Sequence, residues 1–289
     1  MNISLCTISF RHELVSLSDL IQFAARRGFQ GIELWGVHAR SICHRFDDQV
    51  HLLKAQLAQN GLKVSMISDY VDFSAQRTQE DRLAQMDELI AMAEAFQCAK
   101  IRIFAGDRGS CGITEEQWYQ YVEIFKQLSA YTHEHDKLLL IETHPGTLAD
   151  CLPSTLRLLH DVKHPAFRVN LDFLHMWESG IHPIEAIRTL KPWVSHVHLK
   201  NVRDRQSLSV FEPLNVYAPS GSREGIVPLE SGAVQYEEIL DWLQREMPGM
   251  DGSIEWFGPK PFEQITNELQ WIQDQLHIQR NQPLSGVNS

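Results

Sequence analysis

Eight short apolar runs, each followed by a turn and an amphipathic segment, constrain this chain more than any other feature. They occupy residues 3–9, 31–35, 63–69, 100–105, 138–143, 167–172, 194–200 and 252–257. Several are almost continuously apolar, as parallel strands covered on both faces must be. Between the runs the period lengthens to that of a helix. Leu83, Met86, Ile90 and Ala93, for example, fall on one helical face. Further helices are expected near 46–59, 115–134, 153–161, 183–190, 235–246 and 262–276. Ser18 and Asp19 suit the N-cap region of the first helix, and Gly28 and Gly61 suit left-handed C-caps. Strands alternating with helices make a parallel sheet. Eight units favour a closed (β/α)8 TIM barrel over an open doubly wound sheet, whose frequent G-x-G-x-x-G signature is missing. The 289 residues suit one such barrel, expected over residues 1–278, with a polar and flexible tail at 279–289. One connection breaks the rhythm. Residues 201–234 are too many for an ordinary loop, and their content (Phe211, Tyr217, Gly221, Gly225) points to an ordered lid.

Charge narrows the partners. The formal net charge is −11 and no run of Lys or Arg offers a basic groove, so nucleic acid is not expected. A few cations focused in a cleft can still hold an anionic small molecule. No apolar stretch approaches the ~20 residues of a membrane span. Residues 1–10 are too short for a signal peptide and lack its basic flank. The five cysteines are odd in number and form no C-x-x-C, which fits a reducing compartment. Cytoplasm is the expectation.

In a barrel of this kind the chemistry sits at the C-terminal ends of the strands. The fifth run ends in Glu142-Thr143-His144 and the sixth in Asn170-Leu171-Asp172, with His175 just beyond. The seventh ends in His196-Val197-His198-Leu199-Lys200 and the eighth in Ile254-Glu255-Trp256. Residues two apart share a strand face, so Glu142 pairs with His144 and His198 with Lys200. Leu171, Val197, Leu199 and Ile254 then point outward, and Glu142, Asp172, His198 and Glu255 converge on the mouth. Any one of these could be a helix cap or an ion-pair partner. Four on consecutive strands point instead to a divalent metal, because three carboxylates and an imidazole so close need a cation. Oxygen-rich ligands with one His suit Mn²⁺ or Mg²⁺, with Co²⁺ or Zn²⁺ as further choices. Arg102 and Lys200 either grip a substrate carboxylate or oxyanion, or form ion pairs with the excess carboxylates. Tyr70 ends the third run, Tyr217 lies in the lid and His12 follows the first run. Glu33 and Trp35 are ambiguous, Trp35 between packing and a substrate wall.

Longer stretches add a resemblance. The set Glu142, Asp172, His198 and Glu255 resembles that of the xylose isomerase-like barrels. That superfamily includes sugar isomerases, ketose epimerases and endonuclease IV. Within it, SLCTISFRHELVS, GIELWGVHA, MISDY, KIRIFAG, ETHPGTLADCLPSTL, NLDFLHMWESG, HVHLKN, VFEPLNVYAPSG, GIVPLESG and IEWFG, spread from residue 4 to about 258, resemble the bacterial 3-dehydroshikimate dehydratases, to which VFEPLNVYA and NLDFLHMWESG point most specifically. The resemblance implies metal ligands at Glu142, Asp172, His198 and Glu255, and a catalytic base at His144. It implies a substrate pocket lined by Tyr70, Arg102, His175, Lys200 and Tyr217. The implied reaction turns 3-dehydroshikimate into protocatechuate and water by removing a proton beside a metal-bound ketone, with Mn²⁺ the expected ion. The product would feed siderophore synthesis or arise in quinate and shikimate catabolism. A ketose 3-epimerase or sugar isomerase is the alternative, although its neutral substrates would not need Arg102 and Lys200. A repair endonuclease would want more histidine ligands near Tyr70 and Arg102 and a basic face. A non-catalytic sugar-binding barrel would keep the pocket and lose the metal.

Overall fold

The computed structural model describes residues 1–45 and 47–281. Its strands are β1 Asn2–Cys6, β2 Gly31–Trp35, β3 Lys63–Ser68, β4 Lys100–Phe104, β5 Leu138–Glu142, β6 Phe167–Asp172, β7 Val194–Leu199, β8 Asn201–Val202, β9 Ile226–Val227 and β10 Asp251–Ile254. Eight of them close into a barrel in the order β1-β10-β7-β6-β5-β4-β3-β2, with all neighbours parallel. Each expected run overlaps one barrel strand, β1 and β10 starting one residue before theirs. Two runs match to the residue, and the other six end one to three residues earlier than expected.

The early endings have a local cause at β1. Residues Thr7–Phe10 turn into a 3₁₀ helix, which would leave the neighbouring strands without partners. Two hydroxyls take over the acceptor role: Thr7 Oγ1 accepts from Trp35 N at 2.9 Å, and Ser9 Oγ accepts from Trp256 N at 2.9 Å. The first helix, Leu17–Arg27, begins earlier than the sequence reading placed it. Ser16, not Ser18, is the N-cap: its Oγ accepts from Asp19 N at 3.1 Å, and the Asp19 carboxylate accepts from Ser16 N. Such a reciprocal box satisfies two of the helix's orphan N–H groups. Gly28 caps the other end at φ 89°.

Outside the long connection, two helices among the described residues were not foreseen, Gly36–Arg45 and Phe173–Glu178. Both start directly on a strand end, without the polar turn that marks the others. At Gly36 the chain passes so close to Asp69 that a Cβ would lie 2.1 Å from its carboxylate, so only glycine fits. The final helix, Pro261–Asn281, runs past the expected boundary at 278, and residues 282–289 of the expected tail lie outside the described residues.

Leu171, Val197, Leu199 and Ile254 are at most 1 % exposed and belong to the core between strands and helices. Each contributes roughly 1.5–3 kcal/mol by burial, an upper figure. The inward faces of the strands are polar and layered. At the bottom, Asp251 accepts from Lys100 Nζ at 2.7 Å and from Lys63 Nζ at 2.8 Å. Above that come Glu33, His196 and Ser253, all completely buried. A register shift between Val169 and Asn170 sets Asp172 opposite His198 in the top layer.

The long connection is ordered. β8 and β9 pair as an antiparallel ribbon, and Asn201 Nδ2 donates to Leu229 O and Val234 O at 2.8 and 2.9 Å. Gly232 must be glycine, because a Cβ would meet the Asn201 side chain at 2.1 Å. Arg11 Nε donates to Val216 O at 2.8 Å and ties the segment to the β1 end, and Arg223 Nη2 donates to Ala218 O at 2.8 Å within the segment. Among the described residues no helix is long and apolar enough to cross a membrane.

Candidate active site

Glu142, Asp172, His198 and Glu255 end β5, β6, β7 and β10 or follow them directly, and each offers a donor atom within 4.8 Å of the others. His198 Nδ1 is 3.2 Å from Glu142 Oε1 and 3.8 Å from both Asp172 Oδ2 and Glu255 Oε2. Asp172 divides its oxygens between two tasks. Oδ1 caps the helix Phe173–Glu178, accepting from Leu174 N at 3.0 Å and His175 N at 3.2 Å. Oδ2 faces the cluster and Lys200 Nζ at 2.8 Å. Asp172 is therefore a helix cap through one oxygen while the other faces the acid cluster.

Both buried cations lie against the acids. Lys200 Nζ is also 2.7 Å from Glu255 Oε2, and Arg102 Nε is 3.0 Å from Glu142 Oε2. The ion-pair reading of Arg102 and Lys200 thus holds in the protein itself, and both also face the cavity. Burial pushes the Glu142 carboxyl up, but Arg102 first, then His198 and Lys200, hold it well below the usual carboxylate range. Burial likewise opposes charge on His198 and Lys200, yet their acid neighbours raise both well above their ordinary values.

The donor set fits a divalent cation. Glu142 Oε2 and Asp172 Oδ2 make no well-formed hydrogen bond and meet Arg102 Nε and Lys200 Nζ as ion pairs, so the buried acids still outnumber the cations fixed beside them. With Glu33, four carboxylates face two permanent side-chain cations, Arg102 and Lys200. A divalent ion taking the place of the proton on His198 Nδ1 would make that buried set neutral. Three carboxylates and one imidazole suit a hard ion.

His144 stands beside this cluster, outside the donor set. Its ring packs 4.4 Å from that of Phe104 and 4.5 Å from that of His175. Nδ1 lies 2.8 Å from Pro145 O. A carbonyl only accepts, so Nδ1 carries the proton and Nε2 keeps its lone pair. Burial, then the neighbouring His175 and Lys200, bring the pKa of His144 down to about 3, against the pull of Glu142. It is a neutral imidazole at physiological pH.

A cavity of about 300 Å³ opens above these groups. Tyr70, Arg102, His175, Lys200 and Tyr217 all line it, with His144, Glu142 and Glu255. The Tyr70 and Tyr217 hydroxyls are 2.7 Å apart, which joins the β3 end to the 201–234 connection. Phe104, Phe211 and Phe257 supply apolar walls.

A model of the xylose isomerase-like TIM barrel matches residues 21–278. The chain belongs to the xylose isomerase-like TIM barrel family. Over 260 residues it is 44% identical to the 3-dehydroshikimate dehydratase of Bacillus anthracis, which covers 89% of this chain and 91% of that protein. The crystal structure of the probable 3-DHS dehydratase AsbF, involved in petrobactin synthesis in Bacillus anthracis, superposes with a TM-score of 0.91. It is 41% identical and covers 94% of this chain and 99% of its own. A xylose isomerase domain protein of Planctomyces limnophilus, 18% identical, shares the fold with a TM-score of 0.70 and 98% coverage of both chains.

Within this xylose isomerase-like barrel some residues lie away from the cavity. His12 sits in a separate cleft with Arg11 and Arg223, its Nε2 3.4 Å from Val216 O. Trp35 stacks under Tyr217, centroids 6.0 Å apart, and packs with Cys6, Ile8, Val216 and Phe257. It supports the cavity wall from behind. Phe104 and Phe257 escaped the sequence reading, although a signal existed: each lies two residues beyond an inward polar residue, Arg102 or Glu255. Glu33 proved to be buried beneath the donor set.

Proposed function

We propose that this protein is a metal-dependent 3-dehydroshikimate dehydratase, forming protocatechuate and water. The observation that carries the reading is His144: a neutral base with a free Nε2 lone pair, facing the cavity beside a four-donor acid cluster and two cations. The 44% identity to a 3-dehydroshikimate dehydratase supports the choice of substrate.

Glu142, Asp172, His198 and Glu255 would hold the ion, with Mn²⁺ our choice ahead of Mg²⁺, Co²⁺ and Zn²⁺. Bound there, a divalent cation supplies Lewis acidity that makes the proton beside the substrate ketone easier to remove. His144 Nε2 takes the C4 proton and then gives it to the C5 hydroxyl, which leaves as water. A C6 proton then moves to the C3 oxygen, and the ring becomes aromatic. Arg102 and Lys200, with Tyr70, Tyr217 and His175, hold the ring carboxylate and oxygens. We read the barrel as one domain over residues 1–278 and residues 201–234 as a lid that keeps water from the reacting carbon. The protein works in the cytoplasm on an anionic small molecule, with no nucleic acid or membrane partner. The relative's part in petrobactin synthesis favours a siderophore route over quinate or shikimate catabolism.

The low pKa of His144 has a kinetic consequence. A histidine at its ordinary value of about 6.5 is nearly all protonated at pH 5 and useless as a base. His144, depressed to about 3, stays neutral there. At saturating Mn²⁺, kcat/KM is expected to show no loss with an apparent pKa near 6.5 between pH 7 and pH 5. A fall of tenfold or more across that range would contradict the assignment of the base.

Incubation with 3-dehydroshikimate and, in parallel, with free ketoses tests the substrate. Protocatechuate from the first and no epimer from the second is expected. The reverse would move the protein to the ketose epimerases.

A further inference from the structure

Below the four donors lies a buried carboxylate to which the mechanism gives no task. Glu33, in β2, is completely buried and does not line the cavity. It meets β7 across the barrel: its two oxygens are 3.1 and 3.0 Å from His198 Nε2. Its other close neighbour, His196, is already engaged, with Nε2 2.7 Å from Ser253 Oγ and 3.7 Å from Glu33 Oε2.

An imidazole in its neutral form has one N–H and one lone pair. A carboxylate only accepts, so Glu33 fixes the N–H on Nε2. The lone pair is then on Nδ1, the atom that faces Glu142, Asp172 and Glu255. Three carboxylates cannot donate to it, so what suits that position is a proton or, in its place, a metal cation. Glu33 is also the fourth carboxylate in the buried set, and without it a divalent ion would leave one positive charge uncompensated.

We infer that Glu33 is a positioning residue for the metal centre: it orients His198, sets its tautomer and balances the charge of a divalent ion, without touching substrate. This rests on the ligand set proposed above. The same three side chains, Glu33, His196 and His198, are close enough to hold an ion themselves. His198 Nε2 cannot both donate to Glu33 and bind such an ion, which favours the positioning role.

Metal-stripped wild type, Glu33→Gln and Glu33→Ala are titrated with Mn²⁺, with free Mn²⁺ read by electron paramagnetic resonance. Melting of each metal-free protein is followed alongside. Wild type is expected to take one equivalent. Outer partners of metal-bound histidines typically contribute about 10- to 100-fold in affinity. Gln keeps an acceptor for the Nε2 proton and loses only the charge, so about 10-fold weakening is expected there and nearer 100-fold in Ala. KM for 3-dehydroshikimate at saturating Mn²⁺ should stay within about twofold. Should Ala not fold, the isosteric Gln variant carries the test. Lower melting temperatures with wild-type Mn²⁺ affinity would overturn the inference and leave the ligand set standing. A second equivalent in wild type, lost in both variants, would also overturn it, because Glu33 would then be a ligand itself. No Mn²⁺ bound by wild type would overturn the ligand set and the inference together.

Discussion

Replacing His144 by alanine is expected to lower turnover by about 10²- to 10⁴-fold, the range a positioned general base contributes. Mn²⁺ affinity should not change. The two halves of this expectation have different origins. The rate falls because the base itself is removed: His144 Nε2 brings its lone pair to the cavity while Nδ1 is held at Pro145 O at 2.8 Å, whereas the Nε2 of the neighbouring His175 turns toward Asp172 Oδ2 at 3.9 Å. The affinity holds because His144 is outside the donor set. Loss of ring packing against Phe104 and His175 will cost some stability, so thermal melting should accompany the kinetics. Turnover within a few-fold of wild type would remove His144 from the proton transfer.

Glu255→Gln should weaken Mn²⁺ binding by more than about 100-fold, above the range typical of outer partners. The amide keeps the shape of the side chain and removes its charge. Lys200 Nζ, now bonded to both Glu255 and Asp172, would be left with Asp172 alone, so the cluster loses a donor and gains net positive charge. Activity at limiting metal should vanish and return in part at high Mn²⁺. Full metal content and full activity at limiting metal would contradict the ligand assignment. Together with Glu33→Gln this makes a graded series, with the larger effect at the ligand and the smaller one behind it.

The barrel was legible because its signal is local. Apolar runs such as 31–35 and 167–172 carry their own period, and the helix Glu115–Glu134 was read to the residue. The grouping of the candidate site residues was legible for a similar reason. Period-two alternation, carried just past the ends of β5 and β7, puts Glu142 with His144 and His198 with Lys200, and strand-end position in a barrel brings them to one mouth. The unread features depend on neighbours distant in the chain. β1 stops at Cys6 because Thr7 and Ser9 serve β2 and the segment after β10. The helix Phe173–Glu178 exists because Asp172 caps it, a task hidden behind the same residue's place in the acid cluster. Glu33 and His198 are 165 residues apart, and nothing within GIELW tells which nitrogen across the barrel its carboxylate will meet.

The central claim is that a divalent ion held by this cluster enables the conversion of 3-dehydroshikimate to protocatechuate. The most direct measurement strips the purified protein with a chelator, restores Mn²⁺ in steps and follows protocatechuate by absorbance and chromatography. The account predicts no product from the stripped protein and a rate that rises with Mn²⁺ and levels at one equivalent. Undiminished product from protein shown to be free of metal would contradict it.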